Sequence, residues 1–361
     1  MPMIKTYQKY ILKNFLRSVF IISGIFYGLV LILNLFEEIN YVKNLNESFT
    51  LPFFLNFLNS PSILYDIFPF IFLIASQFFF LNLIEKNELL IFKNIGLDNF
   101  KLIKLLSIIS LVSGILIVLI FYNFSAKFKF IYLDLKNNYA NDNKFLAVIT
   151  ENGLWIRDEN NGNINIINAG QIEGDYLKNV IITQFDDSFN ISRYISSDEI
   201  DIKDNMWLLE KSKISATGKQ SFNENNLEFQ TNFNSEKINT LFSDMDSLTV
   251  WQLFKQKKYY EEVGYSTDDI NLHLQKIYSF PIYLMITTIL SSVIMLNIKH
   301  NKPKIFYLVL GVLLSVIIFY INHFAGTMGV NNQLPITLSV WLPLLIISIL
   351  IGIGLVTINE K

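Results

Sequence analysis

A chain of 361 residues that is 52% hydrophobic and 15% aromatic, with a mean hydropathy of +0.37, is too apolar for a soluble protein of this size. Its formal net charge of −2 indicates neither nucleic acid nor an acidic partner. The absence of cysteine excludes disulfides, thiolate metal sites and cysteine nucleophiles.

Residues 15–36 form the first long apolar run, and a basic segment at residues 7–17 leads into it. The run is longer than the roughly 7–15 residues of a signal-peptide core, so we predict a membrane span that is retained. Because basic residues favour the cytoplasmic side, we expect the N-terminus in the cytoplasm. Glu37 and Glu38 close the span, and Lys43 is the only base in the connection that follows.

Residues 52–84 form a second apolar run, which is longer than a bilayer requires and contains Pro61 and Pro69. Because proline interrupts helices, we expect a short interfacial helix there, followed by a kinked second span from about Ile63. A third span is predicted over residues 100–124.

A short charged segment, EKNELLIFKNIGLDNF, occupies residues 85–100 between the second and third spans. One face of the helix predicted here carries a carboxylate and three apolar side chains, Glu88, Ile91, Phe92 and Ile95. We expect roughly three turns, with Gly96 as the C′ residue and Asp98 as the cap of the next helix. Such a face suits a groove on a partner. The alternative is an ordinary loop helix in the headgroup layer.

Residues 125–271 differ from the rest of the chain, because short runs of alternating apolar and polar residues replace the long apolar ones. These runs begin at Phe145, Leu154, Ile164, Asn179, Met206 and Leu227. Turn clusters are predicted at residues 159–162 and 221–226. The pattern favours an all-β soluble domain of sandwich or jelly-roll type, followed by a helical return over residues 248–264.

Three further apolar runs, residues 277–298, 305–324 and 335–358, predict spans four to six. The sequence has 14 lysines and arginines outside the β-domain. If successive spans alternate in direction, 12 of them lie on the same side of the membrane as the N-terminus, and only Lys43 and Lys276 lie on the other side. The positive-inside rule therefore predicts cytoplasmic termini and an external β-domain. We expect a six-helix membrane protein with a jelly-roll-like domain between helices 3 and 4. The predicted domains are residues 1–124, with a coupling helix at 85–98, residues 125–270 and residues 271–361.

Enzymatic chemistry finds little support in the sequence. The three histidines, His273, His300 and His323, are predicted at the outer interface, in a cytoplasmic loop and inside span five, so they cannot share a metal. The motifs H-E-x-x-H, G-x-S-x-G and Walker A are absent from the sequence. We therefore predict no catalytic residue and no cofactor. His323 is interpreted as facing a polar cavity or partner helix, with a proton relay as the alternative.

Several segments resemble the LptF/LptG permease family, which moves lipopolysaccharide out of the inner membrane of Gram-negative bacteria. Residues 87–97, NELLIFKNIGL, are similar to its coupling-helix signature S-E-L-x-V-M-x-A-x-G. GLWIRD at residues 153–158 resembles the G-L-W-x-[KR]-D strand of the LptG branch. Residues 319–329 are similar to that branch's F-Y-x-x-[ND]-x-x-[AF]-G stretch, and Leu334-Pro335 resembles its L/I-P start of span six.

The resemblance implies a non-enzymatic permease paired with a sister permease, LptF, on a dimer of the cytoplasmic ATPase LptB. The residues that it assigns to coupling with the ATPase are Glu88, Leu89, Ile91, Phe92, Ile95 and Gly96. Glu88 matches the acidic coupling residue of the family. A carboxylate beside apolar side chains is suited to pairing with an arginine while those side chains fill a groove.

The residues that the resemblance assigns to substrate binding are Asn34, Glu37, Lys43, Lys136, Phe319 and Tyr320. Family members place a base near the outer end of span one, where this chain has Asn34, so Lys43 is the candidate for the phosphate contact. Lys136 matches a basic position of the family, whereas Lys127 and Lys129 are interpreted as ordinary interfacial lysines. Spans one and five should supply an apolar cavity wall, because acyl chains need no polar partner.

We therefore predict an LptG-type permease subunit of an ABC-type exporter in the bacterial inner membrane. It would extract lipopolysaccharide among membrane lipids and pass it to a periplasmic bridge protein, LptC or LptA, by β-strand addition, with no role for nucleic acid. The alternative is a mechanotransmitting or signalling membrane protein with an extracytoplasmic β-domain and no transported substrate. Co-purified lipopolysaccharide and a sister permease would favour the first, and a periplasmic protein ligand alone the second.

Overall fold

The computed structural model describes residues 6–43, 50–139, 146–150, 153–160, 163–173, 175–186, 189–216, 221–235, 238, 244–263, 266–297 and 303–359. Several residues used in the predictions lie outside the described residues: Lys5, Phe145, Asn161, Gly162, Gly264, Ile298, Lys299, His300, Lys302 and Lys361.

The α-helices of the described ranges are α1 (Thr6–Val42), α2 (Leu51–Glu85), α3 (Glu88–Asn94), α4 (Asn99–Leu116), α5 (Asn123–Tyr139), α6 (Val250–Val263), α7 (Asp268–Leu296), α8 (Lys304–Val330) and α9 (Ile336–Asn359). A π-helical segment, Ile117–Tyr122, joins α4 to α5, so these two helices form one span. In this part of the chain six helical segments are long and apolar enough to cross a membrane: α1, α2, the joined α4 and α5, α7, α8 and α9. The prediction of six spans is confirmed.

The third span continues past its predicted end at Phe124. Residues 125–139 are helical, so the prediction that the β-domain begins at residue 125 is wrong for this stretch. Ser125, Ala126 and Tyr132 are buried at helical spacing. Packing of this helix face therefore decides the structure, and the polar residues between the apolar ones do not end the helix.

The second span is also longer than expected. The structure shows one helix, α2, with Pro61 and Pro69 inside it, so the separate interfacial helix predicted before Ile63 is wrong. Neighbouring helices explain the difference, because packing around a membrane helix compensates for the backbone bonds that proline removes. The ring of Phe15 from α1 packs edge-on against Phe79 of α2, with ring centroids 5.8 Å apart.

Small and polar residues hold the other membrane helices close together. A Cβ atom on Gly114 of α4 would lie 2.6 Å from the Cα of Pro281 on α7, so only glycine permits this approach. The hydroxyls of Ser110 and Thr288 join the same two helices at 2.8 Å. Gln77 of α2 donates from its Nε2 to the carbonyl of Tyr307 on α8 at 2.9 Å.

The π-helical segment ends at a hydrogen bond between two spans. The hydroxyl of Tyr122 lies 2.8 Å from Nε2 of His273 on α7. His323 of α8 is instead exposed, and its ring is parallel to that of Phe319, with centroids 6.4 Å apart. Each of these two histidines is therefore associated with an aromatic side chain of the membrane helices.

An antiparallel sheet separates the third and fourth spans in sequence, which confirms the predicted all-β insertion. Its strands are β1 (Leu146–Thr150), β2 (Gly153–Asn160), β3 (Asn163–Glu173), β4 (Tyr176–Phe185), β5 (Ile191–Asp201), β6 (Met206–Ala216) and β7 (Phe222–Gln230). Within the described ranges every strand pairs with its neighbours in sequence, so the order is that of a meander.

Two features of this sheet were not predicted correctly. Strand β5 was missed, because only Ile195, Ser197 and Ile200 of its eleven residues are buried. The cluster at residues 221–226 was predicted as a turn but contains the first half of β7, whose residues 222–225 pair with β6. Cross-strand pairing supplies the backbone hydrogen bonds there, which outweigh the turn preference of asparagine.

A hydrophobic core lies on one face of the sheet, with Leu154, Ile167, Ile182 and Leu209 almost fully buried. Helix α6, the predicted helical return, packs against β1, β2 and β3. Residues Leu133–Asn271 form one compact unit, and Met1–Tyr132 with Leu272–Lys361 form another.

The aspartate of the GLWIRD segment is buried and accepts hydrogen bonds from the chain that follows β7. Asp158 is fully buried, and its carboxylate accepts hydrogen bonds from the hydroxyl of Thr231 at 2.7 Å and from Nδ2 of Asn232 at 2.9 Å. A buried carboxylate is stable only when such donors compensate for lost water. Asp158 therefore fixes the chain where it leaves β7.

Candidate functional site

Helix α3 is the first candidate site, and local chemistry sets both of its ends. It has seven residues rather than three turns. At its C-terminus the amide of Leu97 donates to the carbonyl of Phe92, and that of Gly96, with φ of +83°, donates to Lys93, which is a Schellman motif. The predicted C′ role of Gly96 is confirmed.

The following helix is also capped as predicted. The carboxylate of Asp98 accepts a hydrogen bond of 2.7 Å from the backbone amide of Lys101. Before α3, the amides of Lys86 and Asn87 donate to carbonyls of the last turn of α2. Short hydrogen-bonded turns therefore connect helix α3 to the second and third spans.

The predicted coupling face is divided between two environments. Phe92 is only 8% exposed, and its ring packs edge-on against Tyr10 of α1 at 6.4 Å. The hydroxyl of Tyr10 donates to Oε1 of Glu88 at 2.8 Å. The expectation that Phe92 projects toward a partner is therefore wrong for this conformation, because Phe92 packs within the chain.

The exposed surface of α3 is nevertheless apolar. Leu90, Ile91 and Ile95 are 60%, 57% and 61% exposed, whereas Leu89 is half-buried. Leu90 was not assigned to the site by the sequence, because it lies off the face that contains Glu88 and Ile95. With Phe92 packed against Tyr10, Leu90 lies on the exposed side of the helix.

The substrate residues of span one have contrasting surroundings. Asn34 is buried between α1 and α2, where its Nδ2 donates to Asn56 at 2.9 Å and its Oδ1 accepts from Asn59 at 3.1 Å. Both polar atoms of the amide are therefore engaged in helix pairing. A substrate contact by Asn34 stays a prediction.

The buried carboxylate of this region belongs to Glu38, which the sequence analysis placed at the end of the span but did not assign to substrate binding. Glu38 accepts a hydrogen bond of 2.8 Å from the hydroxyl of Tyr132, while Glu37 is exposed. Lys129 lies over the ring of Tyr132 at 5.0 Å and donates to Asn59 at 2.8 Å. Lys129 is therefore part of a network between α1, α2 and α5 and is not an isolated interfacial lysine.

The two lysines predicted to bind substrate, Lys43 and Lys136, lie at or near the ends of different helices. Lys43 is exposed directly after the end of α1, and Lys136 is half-buried near the end of α5. The role of both lysines in substrate binding stays a prediction.

Phe319 and Tyr320 of α8 line a cavity of about 310 Å³. Phe26 of α1, Asp66 and Phe70 of α2, and Tyr283 and Thr287 of α7 line it as well. Spans one and five thus both line this cavity, and its identity with the predicted substrate cavity stays a prediction. Contributions from α2 and α7, including a carboxylate, were not predicted.

The apolar surface of α1 and α8 is largely exposed, in contrast to the buried second span. Examples on α1 are Phe20, Leu33 and Phe36, and on α8 Tyr320 and Phe324. Inside a bilayer such surface contacts lipid or a second membrane protein.

Comparison with known proteins identifies a family for this chain. The family described as "Lipopolysaccharide export system permease LptF/LptG" matches residues 9–357. No curated protein matches the chain.

Proposed function

The chain belongs to the LptF/LptG family of lipopolysaccharide export permeases, as a multi-pass protein of the inner membrane, and we propose that it is the LptG-type subunit of an ATP-driven exporter. The observation that carries the proposal is helix α3, a short helix fixed between two spans with an exposed apolar surface. Force applied to such a helix passes directly into the spans on either side.

The motor is a separate ATPase dimer of the LptB type. Leu90, Ile91 and Ile95 supply the surface that fills its groove. Glu88, held in place by Tyr10, offers a carboxylate to a basic residue of the ATPase. The family supports this assignment, since its members are permeases rather than ATPases.

The sister permease pairs with this chain through the membrane. GLWIRD and the FYIN sequence that begins at Phe319 favour the LptG branch for this chain and LptF for its partner. The exposed apolar surface of α1 and α8 supports a lipid-filled space beside that partner. Charge distribution supports cytoplasmic termini and a periplasmic β-domain.

Lipopolysaccharide is held in the membrane cavity and then passed to the β-domain. The aromatic walls of the cavity suit acyl chains, and Lys43 and Lys136 are the candidate contacts for phosphates. Strands β1 and β7 are the two edges of the sheet in the described ranges, and either can pair with a strand of the bridge protein LptC or LptA.

Purification from a native membrane tests this function. We expect co-purification of a second permease, an ATPase dimer and lipopolysaccharide identified by mass spectrometry. Ile95→Asp should abolish ATPase recovery and leave membrane insertion unchanged, because it places a charge in the apolar surface. The matched control Ile191→Asp changes an exposed isoleucine of β5, outside the membrane spans. A periplasmic protein recovered without lipopolysaccharide would instead support the signalling alternative.

A further inference from the structure

The cavity beside Phe319 has an unusual set of polar groups for a lipid site. Asp66 lines it and is exposed, although it lies within an apolar helix about 28 Å along the axis from the end of α2 at Glu85. This distance is close to the full thickness of the hydrocarbon core, so Asp66 lies near the far membrane surface, at the level of the lipid head groups. Its carboxylate gives the cavity a negative charge, and no Lys, Arg or His is among the described residues that line it.

The hydroxyls that line the cavity point their protons away from it. Thr287 donates to the carbonyl of Leu284 at 3.0 Å, and Ser315 donates to that of Val312 at 2.7 Å. Their oxygens therefore remain available only as hydrogen-bond acceptors. Apart from the tyrosine hydroxyls, the fixed polar atoms of the lining side chains accept hydrogen bonds.

Aromatic rings form most of the remaining wall. Phe26 and Phe70 pack edge-on at 5.4 Å, and Phe319 and Tyr320 do so at 5.9 Å, with Tyr283 as the fifth ring. The faces of aromatic rings attract cations. Acceptors, a carboxylate and several rings together favour a group that is cationic and donates hydrogen bonds.

We propose that this cavity binds the ammonium group of an amine-bearing lipid, with Asp66 as the residue that recognises the charge. The inference rests on the proposed function only in taking this cavity as the place where the transported lipid is held. A contact between Asp66 and the ammonium group would make the cavity selective for the lipid head group as well as for acyl chains. An amine-bearing lipopolysaccharide and an ethanolamine phospholipid share the required chemistry.

The test measures binding of radiolabelled dodecylamine and dodecanol to the full chain in nanodiscs of phosphatidylglycerol, which contains no ammonium group. Retention by empty nanodiscs is subtracted. The wild-type chain should retain dodecylamine about tenfold more tightly than dodecanol, in line with cation–π and charge-assisted contacts. Equal affinity for the two probes would overturn the proposal, and this result does not depend on any variant.

Asp66→Asn should remove the preference for dodecylamine and keep the affinity for dodecanol, since it deletes the charge and preserves the size. Asp134→Asn, which changes a carboxylate of α5 outside the cavity lining, should behave like the wild type. Retention of the preference by folded Asp66→Asn would also contradict the proposal.

Competition then identifies the source of the amine. Displacement of dodecylamine by an amine-bearing lipopolysaccharide or by phosphatidylethanolamine supports the site and names its occupant. A chain that binds dodecylamine selectively but recovers no lipopolysaccharide from membranes would retain this site and refute the export function. A chain that recovers lipopolysaccharide but binds dodecylamine and dodecanol equally well would support the export function and refute this site.

Discussion

Glu88 makes one contact within the chain, and we propose a second contact with the ATPase. The hydroxyl of Tyr10 donates to its carboxylate, and the residue is only half-buried. Substitutions can therefore separate the two contacts, because an amide accepts a hydrogen bond but carries no charge.

We predict that Glu88→Gln lowers ATPase recovery about tenfold and leaves α3 in place, because the hydrogen bond to Tyr10 is kept and a charge-assisted contact is lost. Pull-down of the ATPase from detergent extracts measures this effect. Tyr10→Phe is the control, since it removes the internal hydrogen bond and keeps the charge, and it should retain most of the ATPase. Full recovery with Glu88→Gln would exclude a role for the charge.

Burial changes the role that we assign to Asn34. Its amide joins α1 to α2 through Asn56 and Asn59. Asn34→Ala leaves polar atoms of both partners without this contact, so we predict a loss of about 1–2 kcal/mol in the free energy of unfolding. Unfolding in SDS measures it.

Asn40→Ala is the matched control for this substitution. Asn40 is an exposed asparagine on the same helix, and its replacement should change the free energy of unfolding by less than about 0.5 kcal/mol. Equal stability of the two variants would show that the buried amide network contributes nothing to helix pairing.

At the scale of the element, α3 depends on a turn that only one residue type adopts easily. Gly96 has φ of +83°, and open space surrounds the position of a Cβ atom, so a side chain there is opposed by backbone conformation alone. The turn directs α3 into α4 through the Schellman motif and the Asp98 cap.

We predict that Gly96→Ala destabilises this turn by about 1–2 kcal/mol and increases hydrogen exchange of the amides of Gly96 and Leu97. Gly28→Ala is the control, because Gly28 lies inside α1 with open space around it and α-helical backbone. Alanine should favour the helix there. Unchanged exchange in Gly96→Ala would contradict the importance assigned to the turn.

At the scale of the whole molecule, the orientation of the chain decides whether α3 can reach an ATPase. Twelve of the 14 bases outside the predicted β-domain share one side if the spans alternate. The sequence contains no cysteine, so single cysteines report orientation without a background.

We predict that Leu90→Cys reacts with an impermeant maleimide only after the inner membrane is opened, whereas Trp155→Cys reacts in intact spheroplasts. Both residues are exposed, so burial does not limit the reaction. Ser221→Cys, at an exposed position just before β7, is a second control for the β-domain. Labelling of positions 90 and 155 from the same side of the inner membrane would rule out the proposed coupling mechanism.

Much of the architecture follows from the sequence, because hydropathy, strand alternation and helix caps act over a few residues. The six spans, the inserted sheet, the C′ role of Gly96 and the Asp98 cap are all determined in this way. Local patterns misjudged the end of the third span, where a partner distant in sequence, Glu38, contacts Tyr132. They also missed β5, which pairing with β4 and β6 stabilises although few of its residues are buried.

Only the tertiary structure decided which side chains of the candidate sites are available. Packing against Tyr10 buries Phe92 and leaves Leu90 exposed, and pairing with α2 engages Asn34. The fold also places Asp66 in a cavity with aromatic rings from four helices. These outcomes depend on contacts between residues far apart in the chain, so a sequence pattern that repeats every three or four residues does not contain them.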